Sequence, residues 1–223
     1  MDVIFQKIGK LNNAFFDFDN TLYPGLLLFD LAYDFFSRTN RVKDLSELVR
    51  LLAFFKKGDY AIAAEKFALL LKGISVNDFY CPLDKYLDKI PLTAKNFIGV
   101  LIKNKVNCYL VSLTSEDISS VVCKKLGLKS GCAINYGVTL IDDNLIFTGE
   151  LDPVIKNPYS FKLDFMQKAS VFATAESSLA IGDSDDDLAL FESCNYRILV
   201  GSNKKLANFE LISKLNADWQ EDD

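Results

Sequence analysis

Two stretches crowd carboxylates behind apolar runs: Asp17-Phe18-Asp19-Asn20-Thr21-Leu22 and Gly182-Asp183-Ser184-Asp185-Asp186-Asp187-Leu188. In the first, two acids leave the end of a strand-like run two residues apart, immediately ahead of a turn. A turn in which Asp and Asn satisfy nearby backbone groups accounts for one of them. A second like charge at a buried strand end is unfavourable unless something neutralises it. In the second stretch, helix capping accounts for one or two acids. It does not account for Asp183, which follows a strand-like run and a glycine before any helix begins. If both runs belong to one sheet, Asp17, Asp19, Asp183 and Asp187 converge, and such a cluster calls for a cation. Hard carboxylate oxygens suit Mg²⁺, which in turn binds phosphate oxygens. Ser112, at the end of another apolar run, offers a hydroxyl with backbone N–H groups after it, and Lys162 offers a positive charge where a phosphate needs one.

What the chain lacks narrows the chemistry further. It has no histidine, which removes Ser/His/Asp and Cys/His nucleophiles, phosphohistidine and the usual zinc sites. No cysteine is followed six positions later by arginine, so a cysteine-based phosphate loop is missing. The glycine-rich sequence G-x-x-x-x-G-K followed by Ser or Thr is missing too. An enzyme built on this chain works through carboxylates and lysines. The net charge of −5 and pI near 4.9 argue against nucleic acid or an anionic membrane as partner. Met1-Asp2-Val3-Ile4-Phe5-Gln6-Lys7 shows no signal peptide, and no stretch approaches the ~18 apolar residues that span a bilayer. Five cysteines without a C-x-x-C pair read as reduced thiols in a cytoplasmic protein.

The elements that must position these residues alternate. Strand-like runs at Ala14–Asp19, Asn107–Ser112, Ser178–Gly182 and Tyr196–Gly201 are separated, in the later part, by helical stretches near Glu116–Leu126, Tyr159–Phe172, Asp185–Glu192 and Lys204–Leu215. The rhythm predicts an α/β doubly wound parallel sheet, with Lys162 opening a helix. From about Leu26 to Leu92 the periodicity is helical throughout. Leu45, Leu48, Val49, Leu52 and Phe55 share one face, as do Ala63, Phe67, Leu70 and Leu71. An all-helical block inserted between the first two strands reads as a cap beside the site. Gly137–Ile141 and Leu145–Thr148 flank Asp142-Asp143-Asn144 as a hairpin, and the tail from Trp219 to Asp223 reads as a solvated end.

Asp17-Phe18-Asp19-Asn20-Thr21-Leu22 resembles the first motif, D-x-D-x-T, of the haloacid dehalogenase-like hydrolases. Tyr109-Leu110-Val111-Ser112 is similar to their second motif, Lys162 to their third, and Gly182-Asp183-Ser184-x-x-Asp187 to their fourth, in order from about Ala14 to Leu215. The helical insertion, Ser112-Leu113-Thr114-Ser115-Glu116-Asp117, and Leu145 to Glu150 followed by Lys162 resemble the phosphoserine-phosphatase-like branch. The resemblance implies a Rossmann-like phosphatase core at 1–24 and 93–223, a helical cap domain at 25–92, and a small phosphorylated metabolite as substrate. It implies that Asp17 is the nucleophile that becomes phosphorylated, and that Asp19 protonates the leaving alcohol and then activates water. Mg²⁺ would be held by the Asp17 carboxylate, the Asp19 backbone carbonyl and Asp183. Asp187 would orient the metal shell or the lysine, and Ser112, Leu113 and Lys162 would hold phosphate oxygens. Like charges nearby would keep Asp19 protonated.

The chain departs from the pattern in three places. The run Asp185-Asp186-Asp187 leaves open which acid completes the fourth motif. Leu113 stands where a small residue is usual. Tyr23-Pro24-Gly25-Leu26-Leu27-Leu28-Phe29 lacks the acid with which phosphoserine phosphatases meet the substrate ammonium, leaving Asp30, Asp34 and Glu65 as the candidates nearby. Two other readings stand beside the phosphatase. One is a pyrimidine nucleotidase, because Asp19-Asn20-Thr21-Leu22-Tyr23-Pro24 resembles the start of some of them. The other is a non-catalytic phosphate-binding module, which would need a broken motif.

Overall fold

The aromatic run that ends at Asp17 forms the central strand of a seven-stranded sheet. In a computed structural model that describes residues 9–152, 157–169, 175–211, 213–216 and 218–220, β1 (Asn13–Phe16) lies between β2 (Asn107–Ser115) and β5 (Ser178–Gly182), parallel to both. Beyond them come β3 (Lys129–Ile141) and β4 (Asn144–Asp152) on one side, and β6 (Tyr196–Val200) and β7 (Ser213–Leu215) on the other. The order is β4-β3-β2-β1-β5-β6-β7, with β3 and β4 the antiparallel pair. The chain leaves β1 for β2 on one side and later enters β5 on the other. The carboxyl end of β1 is therefore a topological switch point, where a doubly wound sheet opens a crevice. Register decides what reaches it. Phe16 sits opposite both Leu110 and Ile181, so Asp17, Ser112 and Asp183 follow at one edge.

Alternation along β1 fills both faces of the sheet. Phe16 packs with Ile181 and with Phe97 of α6 (Leu92–Lys103). Phe15 faces the other way, into a cluster with Met166 of α8 (Pro158–Ala169) and Phe191 of α9 (Leu188–Ser193). Between β1 and α6 the chain forms α1 (Leu27–Arg38), α2 (Val42–Lys57), α3 (Tyr60–Leu71), α4 (Val76–Tyr80) and α5 (Leu83–Leu87), and no strand. Phe79 of α4 joins this block to the rest, touching Phe35 of α1 and Phe147 of β4. The Tyr80 hydroxyl donates to Ser115 Oγ at 2.9 Å. Ser115 in turn caps α7 (Glu116–Leu126) by accepting the Ile118 N–H.

The hairpin forms as expected. Ile141 pairs with Asn144, and Asp142 and Asp143 both take left-handed φ, 46° and 61°, which matches the strand twist. On α2 the buried stripe runs through Leu48, Leu51, Leu52 and Phe55, while Val49 is exposed. Spacings of three and four residues from Leu48 select Leu51 and Leu52, and Val49 points outward.

Two expectations fail. Lys204–Leu215 is not a helix but a turn, a short 3-10 segment at Leu206–Asn208 and β7. The Asn203 side chain accepts the N–H groups of Lys205 and Leu206, tightening the turn, and the open edge of β6 takes up the chain beyond it. Nor does the tail begin as a solvated end, although Gln220 is exposed. Trp219 is buried, its ring 5.8 Å from that of Phe97, and its indole N–H donates to the Thr21 carbonyl at 2.7 Å. A large ring against an apolar helix outweighs the polar residues around it. Met1–Lys7, residues 170–172 of the expected helix and 221–223 lie outside the described residues.

Trp219→Ala should therefore destabilise the protein by ~3–5 kcal/mol, and Trp219→Phe, which mainly loses the bond to Thr21, by about 1 kcal/mol. Urea melts followed by circular dichroism measure both. An alanine variant as stable as the parent would show that the tail is an ornament.

Candidate active site

Six of the seven singled-out side chains border one cavity of about 380 Å³ at the carboxyl edge of the sheet: Asp17, Asp19, Ser112, Leu113, Lys162 and Asp183. The seventh, Asp187, is fully buried and does not line the cavity. Lys162 does not open a helix. It is the fifth residue of α8, 2% exposed, with Nζ 2.7 Å from Asp17 Oδ1 and 2.6 Å from Asp187 Oδ1. Burial alone would pull the ammonium's pKa down, but the two carboxylates hold it well above its usual value.

Asp187 is used up by its surroundings. Its Oδ2 accepts the backbone N–H groups of Asp183 at 2.9 Å and Ser184 at 3.1 Å. A Cβ on Gly182 would sit 2.5 Å from Asp187 Cγ, so this close approach requires glycine. Asp187, not Asp186, thus reaches the lysine. Asp186 lines the cavity instead, together with Tyr60 of α3, and burial pushes its carboxyl up. Asp185 lies away from both, bound to Asn203 and Lys205.

The remaining acids are held in water-poor surroundings. Burial, then the charge of Asp187, pushes Asp17 up to about 6 against the pull of Lys162. Asp183 is pushed up to about 8 by burial and by Asp17 and Asp187, although the Thr21 hydroxyl donates to its Oδ1 at 3.1 Å. Asp19 rises to about 7, chiefly through burial, with the charge of Asp17 a lesser cause. Desolvation thus dominates where like-charge repulsion was expected. Asp19 Oδ1 accepts the N–H of Leu27 at 2.8 Å, which roots it at the first turn of α1.

Asp17, Asp183 and Asp187 each bring a carboxylate oxygen within 4.8 Å of the others. Because Asp187 is committed to Lys162 and two amides, Asp17 and Asp183 are the pair that faces the cavity. Hard oxygen donors with surplus negative charge fit Mg²⁺.

Sequence reasoning missed three groups. Thr114 is buried and borders the cavity, and its hydroxyl has no partner among the described residues. The register shift between Val111 and Ser115 is the local irregularity that sets the 112–114 segment apart from a regular strand. Tyr60 and the aromatic residues Phe29, Phe55, Phe67 and Tyr136 also line the cavity; they come from four elements and carry no local pattern. Asp30 accepts from the Tyr23 hydroxyl, Asp34 pairs with Arg38, and Glu65 is exposed. None of these three borders the cavity.

The model of the haloacid dehalogenase-like hydrolase family matches residues 14–192. The chain belongs to this family and is a hydrolase. No curated protein is similar enough in sequence to match it. Among solved structures it is similar to a phospho-aspartyl intermediate analogue of phosphoserine phosphatase, with TM-score 0.71 and 17% identity over 95% of either chain. A substrate-bound phosphoserine phosphatase complex matches with TM-score 0.71 and 18% identity, over 88% of this chain and 89% of the other. A haloacid dehalogenase family hydrolase from Salmonella enterica subsp. enterica serovar Typhi matches with TM-score 0.74 and 15% identity, over 95% of this chain and 68% of that one. At these identities the likeness is one of fold.

Raised carboxylates make the metal-free protein sensitive to base. Between the ordinary value of 3.8 and about 8, the unfolded chain has released the Asp183 proton while the folded one keeps it. The folded state then binds more protons, so stability falls as pH rises through that window. In chelator, stability should drop between pH 5 and pH 8 by on the order of a few kcal/mol, and Asp183→Asn should make the curve shallower, leaving the part due to Asp17 and Asp19. An unchanged slope in that variant would mean that Asp183 is not the source.

Proposed function

We propose, with membership of the haloacid dehalogenase-like hydrolases as premise, that the protein is a phosphatase. It hydrolyses a small phosphomonoester in the presence of Mg²⁺, through an aspartyl-phosphate on Asp17. The observation that carries this reading is the buried Lys162 ammonium, shared by Asp17 and Asp187 at the floor of a cavity that Asp19 and Asp183 also border. A similar fold has been described as a phospho-aspartyl intermediate analogue of phosphoserine phosphatase, which favours the same covalent route here.

In this scheme the Asp17 carboxylate attacks phosphorus and the ester P–O bond breaks. The departing alcohol oxygen takes the proton of Asp19, which burial holds up to about 7. Asp19, now a carboxylate, accepts a proton from water as the oxygen attacks phosphorus, releasing inorganic phosphate and restoring Asp17. Lys162 holds one phosphate oxygen, with the Ser112 hydroxyl and the N–H of Leu113 beside it, and the unspent Thr114 hydroxyl is a further donor. Asp187 positions Lys162 and touches no substrate. Asp17, Asp183 and the Asp19 carbonyl would hold Mg²⁺. When bound, the ion neutralises charge on the transferring group, an effect worth several kcal/mol.

The helices of residues 25–92 act as a cap domain over a core made of 1–24 and 93–223. This is supported by the hydroxyl link across the division from Tyr80 to Ser115, and by a cavity lined from both sides, Tyr60 and Phe67 facing Asp183 and Asp186. The acidic net charge favours a small phosphorylated metabolite over nucleic acid as partner. Among the described residues no helix is long and apolar enough to cross a membrane. All five cysteines are free, which favours the cytoplasm.

Asp17→Asn should keep the fold and lower kcat by at least about 10³-fold. Chelation should abolish turnover in the parent. Beryllium fluoride with Mg²⁺, a mimic of phosphate on aspartate, should raise the Tm of the parent but not of Asp17→Asn. Full activity in that variant would rule Asp17 out as nucleophile.

The pH profile tests Asp19 separately. Because the acid form is needed, kcat for an alkyl phosphate should fall as pH rises through about 7. An aryl phosphate, whose leaving group needs little protonation, should show a flatter profile in the same range. Identical profiles would remove Asp19 from the role of acid.

A further inference from the structure

We infer that the leaving alcohol is uncharged and apolar, about the size of one benzyl or branched five-carbon group. This rests on the phosphatase reading and adds to it the substrate class.

The inference starts from an unbroken chain of rings along one side of the cavity. Tyr60 meets Phe55 with ring centroids 5.6 Å apart, and Phe55 meets Phe29 at 5.1 Å. Phe29 meets Phe67 at 5.2 Å, and Phe67 meets Tyr136 at 5.9 Å. The rings come from α1, α2, α3 and β3, and Leu28 adds to the same lining. Opposite in character is the floor. Among the described lining residues the carboxylates are Asp17, Asp19, Asp183 and Asp186, and the cation is Lys162, already held by two carboxylates.

Asp19 fixes which way the substrate points. Its Oδ1 is bound to the N–H of Leu27 at the root of α1, so an ester oxygen that takes its proton lies next to the turn that carries Leu28 and Phe29. The carbon skeleton beyond that oxygen then enters the ring-lined side. Along Phe29, Phe55 and Phe67, away from Asp186 beside Tyr60, an ammonium would be desolvated without a partner among the described lining residues, since Asp30 and Asp34 are paired elsewhere, and a carboxylate would find no cation among them. Sugar hydroxyls would lose water against phenyl rings. A cavity of about 380 Å³ is near the small end of ligand sites, which span roughly 300–1,000 Å³, so a phosphate and a single ring fill it.

The test compares phosphomonoesters of alkyl alcohols, so that leaving-group acidity does not imitate recognition. Benzyl and 3-methylbutyl phosphate are set against phosphoserine, glycerol 3-phosphate and uridine 5′-monophosphate, all in Mg²⁺. The apolar esters should exceed the others in kcat/KM by at least about 30-fold, the scale of discrimination an apolar pocket gives. Phe55→Ala, at a half-buried position, should lower kcat/KM for benzyl phosphate by about tenfold, mainly through KM. Binding is read independently of turnover and of the variant: benzylphosphonate should inhibit or stabilise the parent at lower concentration than methylphosphonate. Turnover led by phosphoserine, the glycerol ester or the nucleotide overturns the apolar assignment and leaves the phosphatase standing. Equal binding of the two phosphonates also overturns it. No hydrolysis of any ester removes the phosphatase reading, and this one with it.

Discussion

One ammonium buried between two carboxylates governs how this protein is put together. Lys162 sits on α8, Asp17 at the end of β1 and Asp187 in the turn after β5, and their oxygens and nitrogen meet at 2.6–2.7 Å in nearly complete burial. Such a cluster depends on its cation, because removing Lys162 would leave two desolvated carboxylates without a partner charge. The sheet register, the placement of α8 and the tight turn from Gly182 to Asp187 must therefore be satisfied together. Gly182 shows how closely: the backbone carries the Asp187 carboxylate where any Cβ would stand. Neutrality is not reached, since one positive charge faces Asp17, Asp187 and the nearby Asp183. The surplus negative charge is an electrostatic demand that a cation meets.

Most of that framework was legible in the sequence, and the reason is burial. Strands covered on both faces read as continuous apolar runs, so Ser178–Gly182 and Tyr196–Val200 were visible, and their ends marked the functional edge. Glu116–Leu126 was visible because its cap, Ser115, and its stop, Gly127, are local. What failed was decided at a distance. The 204–215 stretch has ordinary helical composition, yet Asn203 tightens its turn and the edge of β6 offers a strand partner. Trp219 looked like part of an acidic tail because its partners, Phe97 and the Thr21 carbonyl, lie more than a hundred residues away. Its effect is functional as well as structural. Thr21, whose carbonyl Trp219 binds, also gives its hydroxyl to Asp183, so the tail braces the loop that supports the acidic cluster.

The site divides the same way. Residues that meet phosphate chemistry are confined to types able to do it, and those types stand out at strand ends. The ring-lined wall does not stand out, because Phe and Tyr are common core residues and only the packing of α1, α2, α3 and β3 turns five of them toward one space. Thr114 was hidden for a different reason: a hydroxyl in a strand is unremarkable until the strand's irregularity leaves it buried without a partner among the described residues.

These two halves of the cavity are not independent. Asp19 lies where they meet, bound to the root of α1 and bordering both the acid floor and the leucines of the first helical turn. Burial is the first cause of its raised pKa, ahead of any neighbouring charge. Whatever keeps water from Asp19 therefore also sets its strength as an acid. The apolar side that favours an uncharged alcohol helps to exclude that water, and an apolar alcohol seated there would complete the exclusion. A charged or strongly hydrated group would bring water to the same place and draw the Asp19 pKa back toward an ordinary carboxylate. In the proposed mechanism, substrate selection and proton donation thus draw on one physical property, the dryness of the space beside α1.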